Sequence, residues 1–254
     1  MDAGTREVLQ KFFPGEEIVS VGPHGSGHIN HTFAVETAGG QKYILQKINT
    51  EIFKDVEGLM ENVVNVTDYL RRQIAKEGGD PERGTMQALP TVDGKYYFKD
   101  AEGGCFRVYR LIDDVISLDQ AENEEALYAS GLAFGRFQAQ LADYPAQTLH
   151  ETIPDFHNTP KRYQAFEKAV EEDCCKRAAS AAAEIAFIKA RKAQTEILTD
   201  LLKAGELPLR LTHNDTKLNN VLLDPQTYEA VCIVDFDTIM PGLTAYDFGD
   251  AIRF

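Results

Sequence analysis

The chain has 254 residues, of which 43% are hydrophobic, and its formal net charge is −14 at pH 7. This length allows one large domain or two small lobes with a well-buried core. An acidic surface repels the nucleic-acid backbone, which argues against DNA or RNA as the main partner. The same charge would favour a cationic small molecule, although acidity is common in soluble proteins.

The cysteines show neither the CxxC spacing of a metal site nor the pattern of a disulfide framework. Cys174 and Cys175 are adjacent, which suits reduced thiols in a cytosolic protein. The N-terminus lacks the apolar core of a signal peptide, and no stretch reaches the roughly 18 apolar residues of a membrane span. We therefore expect a cytoplasmic protein without membrane or nucleic-acid partners. Its oligomeric state is not indicated.

The first 112 residues have the hydrophobic patterns of a strand-rich unit with one long helix. Period-two alternation indicates a strand, whereas apolar residues three and four apart indicate a helix. On these patterns we expect two helices, over residues 2–13 and 54–77, and five strands, over 17–21, 32–36, 42–48, a hairpin that turns at 93–94, and 105–112. This order predicts an antiparallel sheet with the long helix after its third strand.

The composition changes from strand-rich to helix-rich near residues 113–120. We place a lobe boundary there, which gives domains of residues 1–112 and 113–254. The last helical pattern, around Phe248 and Ile252, has no C-terminal glycine or polar cap, so we expect the sequence to be truncated from a longer protein. In the second domain the patterns predict helices over 122–141 and most of 160–203, then strands at 221–223 and 230–234.

The stretch LTHNDTKLNNVLLD, residues 211–224, places dense polar chemistry directly before an apolar strand. Its core is His213-x-Asp215-x-x-x-x-Asn220. A phosphoryl-transfer loop needs a carboxylate beside the attacking hydroxyl and an amide oxygen for a metal a few residues later. The following apolar strand would anchor such a loop. We interpret His213 as a residue that braces the loop and does not carry protons.

A second polar motif, Asp235-Phe236-Asp237, stands at the end of the next apolar strand. A carboxylate released at a strand end, opposite the first loop, is suited to bind magnesium. Either motif alone is a weak signal. Together they favour a phosphotransferase whose metal ligands come from both.

This pair of motifs resembles the protein-kinase-like phosphotransferases, above all their aminoglycoside phosphotransferase branch. The resemblance implies an α+β, two-lobed protein-kinase-like fold with a five-stranded antiparallel N-lobe and a mainly helical C-lobe. It also implies ATP and Mg²⁺ as cofactors. On this resemblance Asp215 matches the catalytic base, and Asn220 and Asp235 match the magnesium ligands.

The third predicted strand carries the candidate phosphate-binding lysine. Alternation puts Tyr43, Leu45 and Lys47 on one face. A lysine that points inward from an apolar face is costly unless it meets an anion. By the resemblance, Lys47 would hold the α- and β-phosphates, and its partner glutamate would come from the next helix. Glu57 and Glu61 lie on one helix face, and the sequence does not choose between them.

Two further nucleotide contacts are implied by position. The loop between the first two strands lies where the family covers the phosphates, and its backbone N–H groups could approach them. Residues 110–112, which include Arg110 and Ile112, match the hinge that would bind the adenine. The loop residues assigned to the nucleotide are Gly25, Ser26 and Gly27.

Several stretches resemble one subgroup, the N-acetylhexosamine 1-kinases, which phosphorylate the anomeric hydroxyl of N-acetylglucosamine or N-acetylgalactosamine. These stretches are residues 25–33, 43–49, 156–163 and 235–242. His31 departs from the subgroup, which has Asp there, and those enzymes continue with further helices that close over the sugar. The resemblance implies a sugar substrate that contacts Asn30, Asp215, Asp237 and Thr238.

Two other readings stay open. The first is a choline, homoserine or aminoglycoside kinase of the same fold, which the negative charge would suit. The second is a nucleotide-binding fragment without catalysis, which the expected truncation makes relevant. The sugar-kinase hypothesis requires transfer of the γ-phosphoryl group from ATP to a sugar hydroxyl beside Asp215.

Overall fold

The computed structural model describes residues 3–25, 29–121 and 123–253. Within these residues the first part of the chain forms a five-stranded antiparallel sheet with strand order β1-β2-β3-β5-β4. The predicted sheet is therefore confirmed, although β4 is only two residues long. The elements are α1 (Ala3–Phe12), β1 (Ile18–Pro23), β2 (His31–Thr37), β3 (Lys42–Ile48), α2 (Val56–Lys76), β4 (Phe98–Lys99) and β5 (Cys105–Arg110).

The two faces of this sheet bury different apolar surfaces. Tyr43 and Leu45 of β3 pack with Phe13, at the end of α1, in one cluster. Ile48 packs on the other side with Leu59 of α2, in the larger core that continues into the second part of the chain. Since side chains alternate along a strand, β3 divides its residues between these two cores.

The second part of the chain is mainly helical, and two short antiparallel strand pairs carry its polar loops. The predicted strands at 221–223 and 230–234 are confirmed to within one residue. β6 and β9 were not predicted, because three residues are too few to show a period. The elements are α3 (Glu124–Gln140), α4 (Thr159–Glu172), α5 (Ala182–Lys189), α6 (Ile197–Lys203), β6 (Arg210–Thr212), β7 (Val221–Leu223), β8 (Ala230–Ile233), β9 (Met240–Gly242) and α7 (Thr244–Arg253).

β6 pairs with β9, and β7 pairs with β8. These pairs bring the 213–220 loop beside the turn that follows β8. The described helices include none with the length and apolar character needed to cross a lipid bilayer.

Asn62 joins α2 to the second part of the chain. Its buried amide nitrogen donates to the carbonyl oxygens of His150 at 2.8 Å and Ile239 at 3.0 Å. Its amide oxygen accepts the N–H of His150 at 2.9 Å. One side chain thus satisfies three backbone groups from two separate segments, which fixes α2 beside the chain that follows β8.

We expect Asn62→Leu to lower the free energy of unfolding by roughly 2–4 kcal/mol, because buried backbone groups would lose their partners. Urea unfolding would measure this loss. The matched control is Asn65→Leu on the exposed face of the same helix, which should change stability by less than about 0.5 kcal/mol. Equal effects of the two substitutions would contradict the assigned role of Asn62.

Candidate active site

The polar loop between β6 and β7 is anchored by a buried histidine. The ring of His213 makes edge contacts with Phe134, Phe137 and Phe236, at centroid distances of 5.5, 5.8 and 5.7 Å. Its Nε2 lies 3.1 Å from the carbonyl oxygen of Val234. Burial lowers the pKa of His213 below its ordinary value. A neutral ring in an aromatic cage braces the loop.

Asp247, on α7, holds the backbone of this loop. Its two carboxylate oxygens accept the N–H groups of His213 at 2.9 Å and Asn214 at 2.8 Å. Gln138 of α3 donates to the same carboxylate. Asn214 has φ of 65°, so the chain turns sharply directly before Asp215. Burial raises the pKa of Asp247, and the amide hydrogen bonds oppose that rise.

Asp250, one turn later on α7, supports the next part of the loop by accepting the N–H of Thr216 at 2.7 Å. Asp247 and Asp250 stand outside both polar motifs, and the sequence alone assigns them no role. The available signal was their helical spacing, which places both side chains on one face of α7.

Asp215 lies at the exposed side of the loop, between a cation and an amide. Its Oδ2 is 2.8 Å from Lys217 Nζ and accepts from Asn220 Nδ2 at 3.0 Å. The same amide nitrogen donates to the Asp215 carbonyl oxygen at 2.8 Å, so Asn220 orients Asp215. Sequence reasoning missed Lys217, although a lysine two residues after a candidate base is a visible signal.

Asp235 lies two residues after the end of β8, in a backbone conformation that non-glycine residues seldom adopt. Its φ is 65°, and the chain then enters the short turn Phe236–Thr238. The pKa of Asp235 is raised to about 7, first by burial and then by the charges of Asp237 and Asp215. The N–H of Val234 donates to the Asn220 carbonyl oxygen at 2.9 Å, so the structure places the two motifs side by side, and the charge of Asp215 acts on Asp235.

The donor set fits a divalent cation that also binds phosphate. Asp235 offers a carboxylate, and the Asn220 amide oxygen accepts none of the side-chain hydrogen bonds found in the described residues. Those residues contain no cluster of three or more His, Cys, Asp or Glu suited to a metal. Mg²⁺ prefers oxygen ligands and is commonly held by one or two protein side chains plus substrate phosphates.

Three of the residues assigned to the substrate are engaged by the protein itself. Asp237, 3% exposed, accepts from Asn30 Nδ2 at 2.7 Å and pairs with Arg107 at 2.6 Å. The Thr238 hydroxyl donates to the His213 carbonyl oxygen at 2.7 Å. The structure thus brings Asn30 and Asp237 together, with their polar atoms directed at each other.

Lys47 does not point inward as expected. It shares a face with Leu45, as predicted, but this is the face that packs toward α1, and its side chain is exposed. Its Nζ lies 5.6 Å from the centre of the Phe106 ring. The inner face of the same strand pair carries Gln46 and Arg107. The alternation was therefore right, and the choice of the buried face was wrong.

The predicted ion pair between Lys47 and a glutamate of α2 is absent from the described residues. Glu61 Oε2 lies 2.6 Å from His150 Nε2. Glu57 is exposed in the first turn of the helix. Neither glutamate therefore meets the sheet lysine.

The remaining nucleotide assignments are only partly described. Gly25 has φ of 74°, which suits a tight loop, whereas Ser26 and Gly27 lie outside the described residues. The backbone N–H of Arg110 donates to the Gln87 carbonyl oxygen at 3.0 Å, so that group is already occupied. The side chain of Ile112 packs against the larger core.

Residues 20–254 match the family described as the phosphotransferase enzyme family. The chain belongs to this family. Its members transfer phosphoryl groups, so the phosphotransferase class inferred from the two motifs is confirmed.

Several solved structures share the fold. The chain is 16% identical to aminoglycoside 2'-phosphotransferase-IIIa in its GDP complex, with a TM-score of 0.62 over 98% of this chain and 77% of that one. It is 14% identical to amicoumacin kinase hAmiN in complex with AMP-PNP and Ca²⁺, with a TM-score of 0.60 and coverages of 98% and 68%. The chain is 13% identical to an aminoglycoside phosphotransferase from Alicyclobacillus acidocaldarius, with a TM-score of 0.57 over 98% of this chain and 70% of that one.

At these identities the likeness shows the fold alone. The predicted fold class, α+β with two protein-kinase-like lobes, is confirmed.

The raised pKa of Asp235 predicts that replacing this carboxylate increases stability, whereas any effect of the replacement on activity would be a loss. A carboxylate titrating near 4 when unfolded and about 7 when folded binds more protons in the folded state. Its ionisation therefore costs stability increasingly as pH rises from about 4 to 7. We expect Asp235→Asn to raise the free energy of unfolding in EDTA at pH 8 by roughly 1–3 kcal/mol.

Urea unfolding at pH 8 and pH 5 checks this expectation, because the gain should shrink at the lower pH. Asp68→Asn, on an exposed face of α2, serves as control and should show no such gain. Destabilisation by Asp235→Asn at pH 8 would contradict the assigned electrostatics.

Proposed function

We propose that this protein transfers the γ-phosphoryl group of ATP, with Mg²⁺, to a hydroxyl group of a small molecule. The observation that carries the proposal is the arrangement of Asp215. Its carboxylate lies 2.8 Å from Lys217 Nζ and 3.0 Å from Asn220 Nδ2, and its charge acts on Asp235. A base, a cation and two oxygen donors for a metal thus converge on one partly open site.

In the proposed mechanism each residue has a distinct task. Asp215 accepts a hydrogen bond from the acceptor hydroxyl and then its proton, as the hydroxyl oxygen bonds to the γ-phosphorus and the bond from that phosphorus to the β–γ bridging oxygen breaks to release ADP. Asn220 orients that carboxylate. Lys217 lies where its charge stabilises the transferring phosphoryl group. Asn220 and Asp235 would hold Mg²⁺, which neutralises phosphate charge when bound.

The acceptor we propose is the anomeric hydroxyl of an N-acetylhexosamine. Support comes from the four stretches of sequence that resemble the N-acetylhexosamine 1-kinases. One of them, residues 156–163, contacts α7, the helix that holds the 213–220 loop. Within it the His157 ring stacks on Tyr246 of α7 at 4.8 Å, and α7 also carries Asp247 and Asp250.

A cationic acceptor such as an aminoglycoside is the second candidate. The net charge of −14 favours it, and two of the structural neighbours are named aminoglycoside phosphotransferases. Both candidates use the same base and metal ligands, so they differ only in the groups that surround the acceptor.

ADP release from Mg²⁺-ATP separates these candidates. We expect N-acetylglucosamine or N-acetylgalactosamine to stimulate release, and choline and kanamycin to leave it at the background rate. Stimulation by kanamycin alone would favour the second candidate. Stimulation by no acceptor, together with measurable ATP binding, would support a nucleotide-binding module instead.

We expect Asp215→Asn to lower kcat by about 10²–10⁴-fold, because the amide cannot accept the proton. The dissociation constant for ATP should change little, since Asp215 acts on the acceptor. Asp143→Asn, at an exposed position, is the matched control and should retain full turnover. An unchanged kcat for Asp215→Asn would refute the assignment of the base.

A further inference from the structure

β5 places a buried arginine on the sheet face that meets the second part of the chain. The Arg107 side chain is 2% exposed, and its Nη1 lies 2.6 Å from Asp237 Oδ1. Its Nη2 donates to Asp237 Oδ2 at 2.8 Å, and its Nε donates to Gln46 Oε1 at 3.0 Å. A buried guanidinium is costly unless it is paired, and a carboxylate matches its fork in a bidentate manner.

Asp237 accepts hydrogen bonds from side chains in separate segments of the chain. Besides Arg107, its side chain accepts from Asn30, in the segment that leads into β2. The Asn30 side-chain oxygen accepts the N–H of Asn49 at 3.0 Å, beyond the end of β3. The backbone oxygen of Asp237 accepts from the Thr152 hydroxyl at 3.2 Å. One residue therefore links the sheet, the β1–β2 connection and the helical part of the chain.

This junction lies in the turn that immediately follows Asp235. Asp237 is the middle residue of the turn Phe236–Thr238. Asp235 itself has a left-handed backbone with φ of 65°, which persists only where the surroundings impose it. Because Asp237 is only two residues away from Asp235, fixing the Asp237 carboxylate also limits the directions that the Asp235 carboxylate can take.

We propose that Arg107 is a positioning residue for phosphoryl transfer: through Asp237 it holds the turn that presents Asp235 to the metal-bound phosphates. This inference rests on the proposed function. In this arrangement the sheet acts on the transfer site through Arg107, whereas the sequence pattern assigned that role to Lys47. Lys47 is exposed on the opposite sheet face, whereas Arg107 meets the turn directly.

The test must separate positioning from folding. Arg107→Met alone would leave the Asp237 carboxylate buried without its cation, which destabilises strongly. The double variant Arg107→Met/Asp237→Asn removes both charges together, and such replacements of buried ion pairs are often neutral for stability. Arg107→Lys keeps the charge but loses the bidentate fork. Lys47→Met tests the sequence-based assignment.

We expect the double variant to fold with a Tm within about 5 °C of wild type and to lose about 100-fold in kcat, as for a misplacement of about 1 Å. Its affinity for ATP in EDTA should be unchanged, whereas its affinity for Mg²⁺-ATP should fall. Amide hydrogen exchange of residues 235–239 should be faster than in wild type without nucleotide, and that of α1 unchanged. Arg107→Lys should lie between the double variant and wild type, and Lys47→Met should stay within about twofold of wild type.

A folded double variant with wild-type kcat and wild-type affinity for Mg²⁺-ATP would overturn the inference, because the ion pair would then be only structural. A larger loss in Lys47→Met than in the double variant would overturn it in favour of the β3 lysine. Wild-type protein assayed in parallel distinguishes failure of this inference from failure of the proposed function. If wild type neither binds nucleotide nor transfers phosphate, the proposed function fails and this inference fails with it.

Discussion

The site depends on the buried carboxylate of Asp247, which binds two successive backbone N–H groups of the 213–220 loop. A carboxylate enclosed by protein is stable only when hydrogen-bond donors surround it, and here the donors are the backbone of His213 and Asn214. The loop cannot move without removing those donors. Asp215, the next residue, is therefore held at a fixed place between β6 and β7.

The acidic groups that are clustered in this site lower the stability of the folded state. Burial, and after it the charges of Asp237 and Asp215, raise the pKa of Asp235 to about 7. Lys217 and Arg107 each neutralise one of these groups within the protein, at Asp215 and Asp237 respectively. Asp235 has no equivalent cation among the described residues, and a bound divalent ion would supply the missing charge. A folded state that tolerates this imbalance is consistent with a site built for binding.

Local patterns predicted the features that are encoded locally. Period-two alternation gave the strands of the sheet, and the spacing within HNDTKLNN and VDFD located the loop and the turn that the structure brings together. Alternation also showed that Leu45 and Lys47 share a face. It could not show which face of β3 meets the second part of the chain, because that depends on where α1 and α2 pack. The pattern therefore predicts an inward Lys47, whereas in the structure Gln46 holds that position.

The remaining site residues act through contacts between distant parts of the chain. Asp247 accepts a hydrogen bond from His213, earlier in the chain, and Arg107 pairs with Asp237, later in the chain. Neither residue stands in a motif that displays its partner, and both have ordinary local readings, as a helix-start charge and as a strand residue. Such pairs become visible only once the sheet and the helical part are packed together, so the sequence indicates a candidate base and candidate metal ligands but not the residues that hold them in place.

The proposed function requires that the γ-phosphoryl group of ATP passes to an acceptor hydroxyl and not to water. Phosphorus-31 NMR of Mg²⁺-ATP incubated with the protein and N-acetylglucosamine or N-acetylgalactosamine tests it most directly. Transfer to the sugar would remove the γ-phosphate signal and produce a matching sugar-phosphate signal coupled to the anomeric proton, and EDTA would abolish both changes. Inorganic phosphate as the only new signal, or no change in the ATP signals, would contradict the proposed function.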